Sequence, residues 1–341
     1  MRPYEFNIVW ISERVNCSRK NAKNGAKFLQ ARRIGNNLLV HLPIFLDNEY
    51  APLFFALFAG LLYACSAVLC KKGLELGSGT IRSLVFSNFI MSACFLPYPF
   101  LTDQPFLPND LIVGACLGFL FFAGQFFCFL ALKNGEASLI TPIMGSKPIF
   151  VALFLLVHGL STEQVTWEIW LASALAALAI ALLCWPSKDT KTSWLALALA
   201  LATAATFGLL DSLVPHFTHQ SSPLNVLFFV FGSVGIYSLC LIPYTEGKFF
   251  PRRKNSDTWM WTSATFMGAQ AVLMSIAIGL YQVPTAANVF YACRGLWAVL
   301  LIAWLGKKMQ IKESGSSAST IIRRGIGACI LIFGVWLTTD P

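Results

Sequence analysis

The chain has 341 residues and a formal net charge of +9, with 56% hydrophobic residues and only 12% charged ones. Soluble globular domains carry about 25% charged residues, so a water-facing surface could not be covered, and the same apolar content excludes disorder. Ten Cys in 341 residues fall well below the roughly 8–10% of a disulfide scaffold, which leaves a polytopic membrane protein. The Cys residues lie mostly inside apolar runs without any Cys-x-x-Cys spacing, which points to packing rather than to metal or disulfide roles. The basic residues sit in short connections, as orientation signals do, so no nucleic-acid partner is expected.

Residues 1–50 stand apart. They hold eight Lys or Arg, and their one apolar stretch, Ile34–Leu46, is too short to cross a bilayer, which takes roughly 20 residues. A basic tail is expected, either disordered or lying upstream of the true start, with a surface-lying amphipathic arm as the alternative. From residue 52 onward the apolar runs predict ten spans, at about 52–70, 83–101, 111–132, 138–158, 168–186, 194–214, 224–244, 259–280, 285–305 and 322–338. They are continuous blocks rather than alternating ten-residue segments, so helices are implied and not a barrel. The fold class read here is all-α integral membrane. Thr141-Pro142 and Lys147-Pro148 predict a kinked or broken fourth span, because Pro removes a backbone donor. Gly114-x-x-x-Gly118, Ala172–Ala181 and Ala196–Ala205 predict close helix packing.

The chain repeats itself. The fourth and ninth spans align without a gap at an offset of 147 residues, so that Lys147 faces Arg294 and Gly159 faces Gly306. Just upstream, Ala123-Gly124-Gln125 matches Gly268-Ala269-Gln270 at an offset of 145. Matches near one offset suggest a duplicated five-helix unit, at 52–186 and 194–338. An odd number of helices per unit makes the second unit enter from the opposite side, so the two repeats are inverted. That is an architecture of secondary transporters, with the site near the midplane.

The segments KNGEASLITPIMGSKPIFVALFLLVHG (133–159) and GLYQVPTAANVFYACRGLWAVLL (279–301) resemble the two EamA units of the drug/metabolite transporter superfamily, over about residues 52–338. The resemblance implies a ten-helix carrier with a central cavity lined largely by helices 1, 3, 4, 6, 8 and 9. It does not choose among amino acids, drugs, sugars, nucleotide-sugars and phosphorylated metabolites. The chain departs from the family at His158-Gly159, where many members carry an acidic residue.

Setting aside the first three residues of each span, three formal charges fall inside the expected spans: Lys147, Asp211 and Arg294. A charge at the bilayer centre costs about 2.5–3.5 kcal/mol on insertion scales, so each should face the interior, pair or meet a ligand. Lys147 and Arg294 are read as an anion-recognising pair, one reaching the midplane from each half. The alternative is that both pair with Asp211 and backbone carbonyls and only tie the halves together. Asp211 is expected about four residues from its helix end, as a gate, salt-bridge or coupling residue. Tyr291 shares the face of Arg294, and Gln125, Gln270 and Asn288 are candidate substrate contacts. Ordinary interhelical hydrogen bonds explain any of these, and Asn88, equally well.

An integral-membrane enzyme or a scaffold is the rival class. The sequence has no P-loop, no Gly-x-Ser-x-Gly elbow and no His-Glu-x-x-His helix, so no catalytic residues are named. His216-x-x-His219, expected in the connection after span six, is a poor metal site. No metal or cofactor is expected. Connections 1–2, 3–4, 5–6, 7–8 and 9–10 carry 3, 1, 2, 4 and 5 Lys or Arg, and the other four carry none. That bias puts these five in the cytoplasm and both termini outside, whereas the resemblance implies both termini inside. The function expected is gradient-driven or exchange transport of small organic metabolites, with anionic ones leading. Efflux of neutral or cationic compounds is the alternative. The lipid bilayer and a small-molecule substrate are the expected partners, a homodimer is open, and a bacterial inner or plasma membrane is the expected site.

Overall fold

The computed structural model describes residues 50–134, 140, 143–159, 166–183, 193–247, 249, 255–309 and 318–338. The basic segment before residue 50, the Thr141-Pro142 pair and seven of the fifteen connection cations lie outside the described residues. The helices belong to one compact unit, Pro52–Pro341.

Among the described residues the regular structure is wholly helical. In chain order the helices are α1 (Ala51–Glu75), α2 (Thr80–Phe95), α3 (Pro108–Asn134), α4 (Lys147–His158), α5 (Trp167–Leu183) and α6 (Trp194–Gln220). They continue with α7 (Pro223–Leu239), α8 (Asp257–Ser275), α9 (Pro284–Tyr291), α10 (Arg294–Met309) and α11 (Ala318–Leu337). A 3₁₀ turn follows α2 at Tyr98–Leu101, and a π turn extends α8 at Ile276–Leu280. Five of these elements are long and apolar enough to cross a membrane: Ala51–Glu75, Thr80–Leu101, Pro108–Ala131, Trp194–Gln220 and Asp257–Leu280. Their uniformly apolar runs favour helix because a helix satisfies its own backbone groups, and lipid offers none.

The expected ninth span is two helices, α9 and α10, and the regular helix of the fourth starts only at Lys147. Both joints are tightened turns. Before α4, the Ser146 N–H donates to the Ile143 carbonyl at 3.1 Å and Ile149 N–H to the Ser146 carbonyl at 3.0 Å. Before α10, Cys293 N–H donates to Phe290 and Gly295 N–H to Ala292, each at 3.1 Å. All four bonds skip three residues rather than four, as 3₁₀ turns do. The left-handed Gly159 (φ 58°) ends α4, its N–H returning to the Leu155 carbonyl at 3.1 Å. Glycine is the residue that takes this conformation without strain.

Helix α6 differs from expectation. It runs through Pro215 to Gln220, so Asp211 lies well inside it, and His216 and His219 occupy its last turns rather than a connection. Pro215 removes the N–H that would reach the Asp211 carbonyl, yet its fixed φ is helical. The Thr218 hydroxyl donates to the Val214 carbonyl at 2.9 Å just beyond the gap.

Helix α3 packs against α6 and α7, α8 and α7 against α2, α4 against α5 and α6, and α5 against α11. The expected close approach at Gly114 and Gly118 is to α7. A Cβ at Gly114 would lie 2.2 Å from Phe229 Cβ, and one at Gly118 would lie 1.9 Å from Ser233 Oγ. The Ala-rich face of α5 packs in the same way, with Ala172, Ala176 and Ala179 fully buried in a core shared with Leu331 of α11. Asn88 of α2 donates to Ser238 of α7 at 2.7 Å, an interhelical hydrogen bond in the expected manner.

Arg82 and Asp257 correct the sequence reading, which put both in connections. Arg82 is the third residue of α2 and 1% exposed, and Asp257 opens α8. They form a two-pronged ion pair, Nη1–Oδ1 at 2.7 Å and Nη2–Oδ2 at 3.1 Å. Arg82 Nε also donates to the Phe249 carbonyl at 3.0 Å. The two partners are 175 residues apart, so no local pattern could have paired them.

Candidate functional site

A cavity of about 200 Å³ lies among α1, α2, α3, α4, α6, α7, α8 and the α9–α10 joint. The expected helices 1, 3, 4, 6, 8 and 9 all contribute, with α2 and α7 in addition. The walls are mostly apolar and aromatic, with Phe121, Phe129, Phe207 and Phe231 prominent. The charged residues that line it, among those described, are Lys147, Asp211 and Arg294, the three picked out by their position in apolar sequence.

The joints put the two cations there. Lys147 is the first residue of α4 and Arg294 the first of α10. The positive end of each helix dipole lies at the same joint as its cation.

Their surroundings differ. Lys147 Nζ lies 2.5 Å from Asp211 Oδ2 and 5.5 Å from the centre of the Phe207 ring. Asn288 of α9 donates to the same Asp211 oxygen at 2.7 Å and to the Pro284 carbonyl at 2.8 Å. Asp211 therefore joins α4, α6 and α9. Asn288 is 2% exposed and stands behind this carboxylate rather than on the cavity wall.

Arg294 has no ion-pair partner among the described residues. Its guanidinium carbon lies 4.9 Å from the centre of the Tyr63 ring and 4.7 Å from that of Tyr291. The two rings meet edge to face at 71° with 5.8 Å between their centres, which makes a corner for the cation. Such contacts contribute about 0.5–2 kcal/mol, less than the cost of leaving a buried charge unpaired. Tyr291 is where the spacing put it. Tyr63 was missed, although it is the one tyrosine in the apolar first span, a signal that could have found it.

Gln125 and Gln270 both line the cavity. Gln270 is 8% exposed, and among the described residues its amide nitrogen meets only Met267 Sδ, at 3.8 Å, while its Oε1 has no hydrogen-bond partner. His158, the departure from the family pattern, places Nε2 3.0 Å from Ser212 Oγ, beside Asp211 in α6. No group of three His, Cys, Asp or Glu able to hold a metal occurs among the described residues.

Residues 51–185 match the model of the EamA-like transporter family. No curated protein matches the sequence significantly. Among solved structures, a crystal structure of a protein aligns with a TM-score of 0.66 over 86% of this chain and 97% of its own, at 14% identity. A likeness at that identity shows a shared fold and nothing of substrate. The likeness of residues 51–185 to the EamA-like transporter family and the apolar helices point together to an integral, multi-pass membrane protein.

Proposed function

We propose that the chain is a gradient-driven or exchange carrier of small organic metabolites bearing an anionic group. It works by alternating access of two inverted halves, residues 52–186 and 194–338. The matched joints support the two halves: Ser146-to-Ile143 and Cys293-to-Phe290 are the same bond displaced by 147 residues. The packing supports them too, since α3 lies on α7 as α8 lies on α2. Both fit carriers whose discontinuous helices meet at the midplane.

The observation that carries the reading is Arg294. It is a cation on a central cavity, held by two tyrosine rings, with no carboxylate partner among the described residues. Lys147 supports it less than the sequence suggested, because Asp211 neutralises it. The test is thermal unfolding of the purified protein in detergent with anionic, neutral and cationic metabolites. A ligand at 100 times its Kd stabilises by about 2.7 kcal/mol. Stabilisation by anions that Arg294→Ala abolishes supports the reading. Stabilisation by neutral or cationic compounds alone overturns it in favour of efflux, a reading that the aromatic walls and Asp211 favour.

A further inference from the structure

Resting on that reading, we infer that the cavity selects singly charged oxyanions on an uncharged body, a monocarboxylate above all, and rejects dianions such as dicarboxylates and phosphate monoesters. The argument is a charge count with geometry. The charged residues lining the cavity, among those described, are two cations and one carboxylate. One cation is already matched, since Lys147 Nζ and Asp211 Oδ2 are in contact at 2.5 Å and Asn288 holds that same oxygen. One positive charge is left over, on Arg294.

A ligand with one negative charge brings the cavity to neutrality. A ligand with two leaves a negative charge among Phe121, Phe207 and Phe231, where burying an unpaired charge is strongly unfavourable. The second charge could be met only by pulling Lys147 from Asp211, which would strand that carboxylate instead. A zwitterion meets the converse difficulty, because the one carboxylate able to take its ammonium is occupied by Lys147 and Asn288.

The shape of the free cation points to the same chemistry. The guanidinium is a planar fork that matches a carboxylate through two parallel N–H donors. Tyr63 and Tyr291 lie against this guanidinium, and Arg294 lines the cavity. The body of the ligand would lie along the aromatic walls. An uncharged hydroxyl or amide on it can bond to Gln270, whose Oε1 has no partner among the described residues although the residue is over nine-tenths buried.

The test uses the full chain in detergent with matched ligand sets: hexanoate, hexanamide, adipate and hexyl phosphate, and benzoate, benzamide, phthalate and phenyl phosphate. Melting-temperature shifts are titrated to apparent Kd. A monocarboxylate should bind at least about tenfold more tightly than the amide and the two dianions of its own set. Arg294→Gln should weaken it by about 30-fold or more, the effect of removing one partner of a buried charge pair. Arg294→Lys should restore part of that, as a point charge without the fork.

Asp211→Asn releases Lys147 and raises the cavity charge by one, so it should shift preference toward adipate and hexyl phosphate. That gain of binding cannot come from misfolding. If the dianions bind wild type more tightly and Arg294→Gln abolishes them, the single-charge selection is overturned and the anion reading stands. If no anion shifts the melting temperature, both fall. If monocarboxylates bind but Asp211→Asn leaves the preference unchanged, the charge count is wrong.

Discussion

Lys147 and Arg294 occupy equivalent places 147 residues apart, each the first residue of a helix that follows a tightened turn, yet only Lys147 is matched by a carboxylate among the described residues. Equivalent backbones thus carry inequivalent electrostatics. One joint is closed by an ion pair between α4 and α6. The other holds its cation between two rings.

The ion pair predicts non-additive stability. Lys147→Met or Asp211→Asn alone should destabilise the protein by about 3–5 kcal/mol, the cost of stranding one buried partner. The double variant should recover most of that loss. Thermal unfolding of the two singles and the double closes the cycle, and additive losses would refute the prediction.

Arg82 and Asp257 predict the same pattern at a second place, between α2 and α8. Asp257→Ala should cost about 3–5 kcal/mol without changing the affinity for any cavity ligand, since neither residue lines the cavity among the described residues. Melting temperature and ligand titration on one preparation separate the two effects.

Gly114→Ala and Gly118→Ala should each destabilise by about 1–3 kcal/mol, as overpacking does. A Cβ at either would press on Phe229 or Ser233 of α7. Gly232→Ala on α7 is the control, with open space around its Cβ and a better helix former in place of glycine. It should leave the melting temperature level or slightly higher.

A reporter fused after Pro341 should be inactive on the cytoplasmic side, as the loop charges predict. Arg82 leaves that charge tally because it is buried in α2, but the remaining connection cations keep the bias one-sided. Activity confined to the cytoplasm would overturn the orientation.

The helix positions were legible because each apolar run must be helical in lipid. Proline marked the joint of the fourth span, but the ninth was read as one helix and its break was not foreseen. The partners were not legible either. Helices that are apolar all round carry no polar face to orient them. The contacts of Asn288 with Asp211, of Arg294 with Tyr63 and of Arg82 with Asp257 span from 77 to more than 200 residues. Helix α6 also outran its proline, because a missing N–H interrupts one bond and not the backbone path.

Gly60 of α1 sits against the second joint, where a Cβ would come 3.2 Å from the Tyr291 carbonyl oxygen and 3.3 Å from the Arg294 nitrogen. At that point main chain bears on main chain with no rotamer between them. A side chain could have swung aside and absorbed a change in bend angle, but bare backbone has no such compliance. A rotation of α10 about the joint would therefore bear directly on the main chain of α1 at Gly60.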